Sequence, residues 1–230
     1  MNHVKTTGIV IARVSYGEAD RIVTMLTPDH GKISLMVKGA RRAKSRLAGG
    51  VELFSISEIV FMAGKSSLHT LVSARLEEHF AKITADITRT MFGYEVLKII
   101  NKITEEDAET AYYELLGGTL VGLNTLSIPV ELVRVWFDAQ LLMVTGHMPN
   151  FTTDRTGKKL SPDETYMFDF DSMSLSRAEN GVYGAAEIKF CRLLLGPHKP
   201  ASLASIVGVS SLVNTVGPTF ASARTFYLPT

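Results

Sequence analysis

The part of the sequence with the clearest capacity for chemistry is a run of cations. Five lysine or arginine side chains occur within nine residues: Lys38, Arg41, Arg42, Lys44 and Arg46. No aspartate or glutamate occurs between Asp29 and Glu52, so no carboxylate within the run offsets its charge. Cations spaced in this way can contact successive phosphates of a nucleic acid and release the counterions condensed there. The run therefore predicts a polyanion-binding loop; the alternative is a solvated loop that only aids solubility.

The charge of the chain is distributed unevenly along its length. The formal net charge of the whole chain is +1. Residues 1–80 carry 11 basic and seven acidic side chains, whereas residues 81–230 carry 13 basic and 16 acidic ones. The first part is therefore the one expected to meet an anionic partner. Further candidate contacts in it are other cations and a tyrosine beside a turn glycine: Arg13, Arg21, Lys32 and Tyr16.

Short signatures of catalytic sites are absent from the sequence. It has no GxxxxGK[ST] phosphate loop, no GxGxxG, no HExxH and no GxSxG. Asp169 and Asp171 could hold a divalent ion, but an exposed acidic strand edge is the favoured interpretation. His147 and His198 lack partners at ligand spacing, and the single cysteine, Cys191, lies on an apolar helical face typical of a core residue. We therefore expect no catalytic activity, no metal and no cofactor.

Composition indicates a folded protein outside the membrane. The 230 residues are 46% hydrophobic and 20% charged, which excludes intrinsic disorder. A lone cysteine excludes a disulfide framework and fits a reducing compartment. The N-terminus does not read as a signal peptide, and no apolar stretch is long enough for a membrane span. We expect a cytoplasmic location.

Alternating patterns and turn signals dominate the first 80 residues. Ile33, Leu35 and Val37 alternate with polar residues, as in a half-buried strand. Five strands are predicted, over 5–14, 20–26, 32–38, 51–63 and 68–76, the last also alternating strictly. A small closed barrel is the simplest arrangement, because closure removes exposed edges. The pattern suggests an OB-fold, but an SH3-like barrel has a similar number of strands, and periodicity does not separate the two.

After residue 80 the spacing of apolar residues becomes helical. Helices are predicted over 84–103, 105–124, 129–145, 184–195 and within 201–228. The second is expected to begin after Thr104 with acidic residues at its start. Glycines and prolines break the pattern in 146–183, which predicts an irregular insertion with a small hairpin. The predicted fold is α+β in two domains, with a five-stranded β-barrel at 1–80 followed by an all-helical domain at 81–230.

Short motifs between Gly8 and Phe54 occur in a distinctive order and spacing. They are Tyr16-Gly17-Glu18-x-Asp20, Leu26-Thr27-x-x-x-Gly31-Lys32, Val37-Lys38-Gly39-Ala40-Arg41-Arg42-x-Lys44-Ser45-Arg46 and Glu52-Leu53-Phe54. Together they resemble the N-terminal signature of the bacterial recombination mediator family RecO, over about a fifth of the chain. The resemblance implies an N-terminal OB-fold and a helical C-terminal domain.

The resemblance also implies a non-catalytic function in DNA repair and recombination. Family members bind single- and double-stranded DNA, anneal complementary strands and help to load recombinase on DNA coated by single-stranded-DNA-binding protein. The implied partners are RecR and the C-terminal tail of that coating protein, and the implied location is cytoplasmic and nucleoid-associated. Many members carry a four-cysteine zinc finger in the helical domain. Residues 152–157 hold no cysteine, so we expect no structural zinc and a segment stabilised by packing and hydrogen bonds.

One helical residue is a candidate for capturing the acidic tail of the coating protein. Such a tail ends in an apolar residue with its carboxylate, so its capture needs an apolar pocket and a cation. Arg134, beside Val133, Phe137 and Leu141, has that setting. The alternative is a solvated arginine on a core helix.

Two other classes of function stay open at the level of sequence. One is an RNA-binding OB-fold protein, which would prefer RNA to DNA of the same sequence through the 2′-hydroxyl. The other is a protein–protein adaptor whose basic loop docks on an acidic partner and which has no affinity for nucleic acid.

Overall fold

The first part of the chain is a closed β-barrel. A computed structural model describes residues 3–64 and 67–228. The barrel strands are β1 (His3–Tyr16), β2 (Asp20–Leu26), β3 (Lys32–Val37), β4 (Ser55–Met62) and β5 (Leu68–His79). Their order is β1-β2-β3-β5-β4, and β1 pairs with β4 to close the ring. The prediction of an N-terminal OB-fold is confirmed.

Closure of the barrel depends on the length of β1. Its first half, from His3 to Ile9, pairs antiparallel with β4, and its second half, from Ile9 to Tyr16, pairs antiparallel with β2. The inward side chains form one apolar cluster that includes Val10, Val23 and Leu35, all fully buried. The alternation predicted for 32–38 is confirmed, because Ile33 and Val37 face the same cluster as Leu35.

Strict alternation, predicted for 68–76, does not hold in β5. Leu71 is buried and Ala74, three residues later, packs against the same core cluster. The pairing of β5 with β4 shifts register between Ile56 and Ser57 and again between Val60 and Phe61. Each such bulge sets two residues opposite one and re-aims the side chains that follow. The positions of the bulges could not be predicted from the hydrophobic periodicity of the sequence.

Helices follow the barrel where the sequence pattern changes. They are α1 (Ala81–Thr84), α2 (Ile87–Ile103) and α3 (Thr110–Asn124). These helices pack with the barrel in one compact unit, Met1–Asn124, so the end of the strands near residue 80 is not the end of that unit. The start predicted for the helix over 105–124 is wrong. Thr104 instead ends α2, where its hydroxyl donates to the Ile100 carbonyl at 2.7 Å.

The second compact unit, Thr125–Thr230, is helical with a small hairpin. Its elements are α4 (Val130–Val144), β6 (Tyr166–Asp169), β7 (Ser174–Arg177), α5 (Ala185–Leu194), α6 (Pro200–Leu203) and α7 (Val209–Tyr227). Trp136 and Phe220 are almost fully buried in its core, and Cys191 is fully buried, as predicted. Burial raises the pKa of the Cys191 thiol well above its ordinary value, so the side chain stays protonated and apolar in character. No helix among residues 3–64 and 67–228 is long and apolar enough to cross a membrane.

The insertion at 146–183 is stabilised by packing and hydrogen bonds. The ring of Phe151 lies 5.8 Å from that of Phe168 and 6.0 Å from that of Tyr183, between centroids. The Asp154 carboxylate accepts hydrogen bonds from the hydroxyl and amide of Thr156, and these bonds hold its pKa below the ordinary value. The predicted hairpin is present as β6 and β7.

The acidic pair in the hairpin has a structural use. Asp169 accepts a hydrogen bond from the Asp171 amide at 3.0 Å, as an Asx turn does, and its carboxylate lies 3.8 Å from the Arg155 guanidinium. In the described part of the chain, no three His, Cys, Asp or Glu side chains are grouped to hold a metal ion.

A buried ion pair joins the two longest helices of the second unit. The Asp138 carboxylate on α4 lies 2.8 Å from Nε of Arg224 on α7. The two side chains are only 2% and 13% exposed, so the pair supplies part of the electrostatic stabilisation that water would otherwise give. The pair therefore fixes how α4 packs against α7.

We expect Asp138→Asn to lower the free energy of unfolding of the second unit by about 3 kcal/mol, because it leaves the Arg224 charge buried beside a neutral group. Urea unfolding followed by circular dichroism measures this change. Glu131→Gln, at an exposed position on the same helix, is the matched control and should change the free energy by less than about 1 kcal/mol. Equal effects of the two variants would contradict a stabilising role for the pair.

Candidate nucleic-acid interface

The basic run lies on the connection between β3 and β4, which is anchored at both ends. Ala40 and Val51 are 3% and 0% exposed and belong to the barrel core. The Arg41 amide donates to the Ala19 carbonyl of the β1–β2 hairpin at 2.9 Å. A 3₁₀ turn over Ala48–Val51 ends the connection. Residues 41–46 therefore project from a fixed base; we call residues 38–46 the basic loop.

The entry to the basic loop requires a glycine. Gly39 has φ of +66°, a left-handed conformation that side chains with a Cβ disfavour. Its amide donates to the Asp20 carboxylate at 2.7 Å, and Asp20 begins β2 at the hairpin tip. This bond and the Arg41 bond tie the loop to the hairpin, so the sharp turn directs the following cations to the end of the barrel.

The five cations of the basic loop are exposed and unpaired. All five are exposed to solvent, and none forms an ion pair with a carboxylate of residues 3–64 or 67–228. They are Lys38, Arg41, Arg42, Lys44 and Arg46. The Arg41 guanidinium makes one weak hydrogen bond, to the Gly17 carbonyl at 3.4 Å. Exposed charges without a carboxylate partner keep their attraction for an anion, because no internal carboxylate has to be displaced first.

An aromatic side chain lies at the same end of the barrel. Tyr16 ends β1 opposite Asp20 and is 55% exposed. The next residue, Gly17, contacts Arg41, so the ring and the loop cations lie close together. Phe54 and Phe61, by contrast, are 1% and 3% exposed and belong to the core. Tyr16 is thus the barrel aromatic that can offer a face to a base.

Arg13 and Arg21 lie near the loop but are engaged. Arg21 pairs with Val37, the residue before the loop, and Arg13 is on the adjacent strand β1. The Arg13 guanidinium hydrogen-bonds the Glu52 carboxylate, and the other oxygen of Glu52 is 3.7 Å from Arg21. Sequence reasoning missed Glu52 as a partner, because it is 39 residues from Arg13 in the chain and only barrel closure brings them together.

Lys32 lies at the opposite end of β3 from the basic loop. It begins β3, whereas the basic loop follows the end of β3, about 20 Å away at the usual rise per residue. Its Nζ donates to the Asn101 carbonyl at 2.9 Å. It lines a cleft that also contains Asp29 and Glu106.

Arg134 lies on α4 and is half-buried, within a helix whose neighbouring side chains are packed inward. Val133, Phe137 and Leu141 are each fully buried. They are therefore part of the core of the second unit and do not line an open apolar pocket. A pocket for an acidic tail at Arg134 would therefore have to be lined by other side chains.

These features define a class of protein: an OB-fold barrel with an exposed cationic loop and an aromatic side chain at one end, followed by a helical unit. The family described as Recombination protein O N terminal matches residues 1–80. Relatives with the name DNA repair protein RecO include that of Acetivibrio thermocellus, 39% identical over 151 residues, which are 65% of this chain and 59% of that protein. The RecO of Listeria monocytogenes serotype 4b is 36% identical over 171 residues, 74% of this chain and 65% of that protein.

Residues 1–80 match the N-terminal domain of Recombination protein O, and the chain is similar to proteins named DNA repair protein RecO. Matching segments span 57–65% of the length of relatives such as these and the RecO of Halalkalibacterium halodurans.

We expect Gly39→Ala to lower the free energy of unfolding of the first unit by about 1–2 kcal/mol, because alanine is strained at a left-handed φ. Gly49→Ala in the same connection is the matched control. Its φ is not positive and no atom lies within 4 Å of an added Cβ, so it should be tolerated. Thermal unfolding of both variants measures the difference, and an equally stable Gly39→Ala would rule out a conformational requirement at this turn.

Proposed function

We propose that the basic loop and the adjacent hairpin tip bind the phosphate backbone of DNA, and that the chain acts in DNA repair and recombination. The observation that carries the proposal is the exposure of the five loop cations without a carboxylate partner among the described residues. The name of the matching relatives, DNA repair protein RecO, supports DNA as the polyanion. The barrel supports it as well, since OB-folds bind oligonucleotides on a strand face and its loops.

The proposed mechanism is backbone binding without base reading. Cations at Arg41, Arg42 and Lys44 neutralise phosphates of single- or double-stranded DNA, and the released counterions supply the free energy. Two strands held against one cationic loop repel each other less, so complementary bases can pair and the strands anneal. Tyr16 adds a stacking face that accepts any base. Binding by this mechanism tolerates any sequence and weakens steeply with salt.

The proposed role is that of a non-catalytic mediator. In it the chain helps to load recombinase on DNA coated by single-stranded-DNA-binding protein, with RecR and the C-terminal tail of the coating protein as partners. Such a protein would work in the cytoplasm, associated with the nucleoid. The resemblance of the motifs in residues 8–54 to the family signature supports this role.

We expect the triple variant Arg41→Glu, Arg42→Glu, Lys44→Glu to weaken binding of a 20-nucleotide oligo-dT by about 100-fold at low salt. The slope of log K against log salt should flatten by about 2, since each phosphate contact on a single strand contributes about 0.7. Fluorescence anisotropy across a salt series measures both. Annealing of complementary labelled oligonucleotides, with and without the coating protein, should slow in parallel.

The matched control reverses three exposed lysines of the second unit: Lys158→Glu, Lys159→Glu and Lys189→Glu. It changes the net charge equally and should leave both affinity and slope close to those of the unchanged protein. Equal binding by the loop variant at moderate salt would refute the assignment of the site. A preference for RNA over DNA of the same sequence would favour an RNA-binding protein, and no affinity for either at low salt would favour an adaptor.

The partner tail has a separate test at Arg134. If its guanidinium meets the terminal carboxylate, Arg134→Ala should weaken binding of a tail peptide about tenfold, the loss expected for one charged hydrogen bond. Isothermal titration with the peptide measures this loss. Lys189→Ala, an exposed cation on α5, is the control and should bind as the unchanged protein does. An unaltered titration for Arg134→Ala would remove this residue from the proposed contact.

A further inference from the structure

Beside the basic loop, two arginines and one glutamate form a compact cluster at the end of the barrel. Arg13 on β1 and Arg21 on β2 both contact the carboxylate of Glu52, each through a different oxygen. Glu52 directly follows the 3₁₀ turn that ends the β3–β4 connection, and Arg21 pairs with Val37, which precedes Lys38. The cluster is therefore continuous with the entry and the exit of the basic loop.

Solvent reaches all three side chains. The arginine side chains are 29% and 25% exposed, and the Glu52 side chain is 41% exposed. The carboxylate is thus the most accessible member and regains water most readily if it leaves. In a partly exposed cluster the ion pair itself contributes little to folding stability. The arrangement is therefore open to competition by another anion.

The geometry also suits a phosphate. Two guanidinium groups lie beside separate oxygens of one anion, that of Arg13 in hydrogen-bond contact and that of Arg21 at 3.7 Å, and guanidinium groups bind carboxylates and phosphates alike. We propose that Arg13 and Arg21 form a second phosphate subsite, which Glu52 occupies in the free protein and from which a DNA backbone phosphate displaces it. This inference rests on the proposed function of the basic loop and adds a competing carboxylate to it.

The two groups of cations then differ in what binding requires. The exposed loop cations meet phosphates directly, whereas Arg13 and Arg21 must first exchange their carboxylate. A DNA strand that binds at the basic loop brings its next phosphates close to Arg13 and Arg21, where their local concentration is high. Glu52 lowers the affinity of the complete surface, and it favours strands long enough to reach both parts.

The decisive experiment removes the competing charge from the full chain. Glu52→Gln should tighten binding of a 20-nucleotide oligo-dT about three- to tenfold, because no carboxylate has to leave before the phosphate binds. The salt slope should stay the same, since the same phosphates are contacted in the complex. A purely structural role for Glu52 would not tighten binding. Glu58→Gln is the matched control, because Glu58 also pairs with two cations of the barrel, Lys5 at 2.8 Å and Arg75 at 3.3 Å. It changes the net charge equally and should leave the affinity for oligo-dT unchanged.

A second set of variants tests whether the effect of Glu52→Gln depends on the two arginines. Arg13→Gln combined with Arg21→Gln should weaken binding and flatten the slope, and adding Glu52→Gln to it should bring no further tightening. If Glu52→Gln binds oligo-dT no more tightly than the wild-type protein does, the second phosphate subsite is overturned. The proposal for the basic loop would still stand. If only the loop variant loses binding, the basic loop is supported as the binding site and the second subsite is not. If the wild-type protein fails to bind DNA at low salt, both proposals are overturned.

Discussion

The constraint on which the first unit depends is the shared use of β1 by two neighbours. One strand hydrogen-bonds to β4 along its first half and to β2 along its second half, and this sharing closes the sheet. Closure satisfies the backbone groups that an open sheet would leave at its edges. It also brings the tip of the β1–β2 hairpin, the end of β3 and the start of β4 to one end of the barrel.

Electrostatics at that end follow from which side chains closure brings within reach of a carboxylate. The cations at 41–46 project from a loop anchored by Ala40 and Val51 and have no acidic neighbour in contact within the described residues. Arg13 and Arg21 have the same charge but share Glu52. The loop cations are therefore accessible to an anion, whereas the two arginines are already paired with a carboxylate.

Much of the fold is encoded locally, and its departures have specific physical causes. Alternation located β3 correctly, because one face of that strand is buried throughout. Alternation did not predict β5 correctly, because bulges against β4 shift its side chains. The helix start predicted after Thr104 was also wrong, because the Thr104 hydroxyl donates to the preceding helix and does not cap the next one. The helices α1–α3 pack with the barrel, a long-range preference that composition did not reveal.

That residues 38–46 form a cationic loop between two strands could be predicted from the amino-acid sequence, since charge and turn residues are local properties. The burial of Cys191 could also be predicted, from its apolar helical neighbours. Which other cations lie beside that loop depends on the folded barrel. Lys32 lies at the far end of β3, and Arg13 and Arg21 are held by a carboxylate that only barrel closure brings near, because ion pairing depends on distance in space and not on position along the chain.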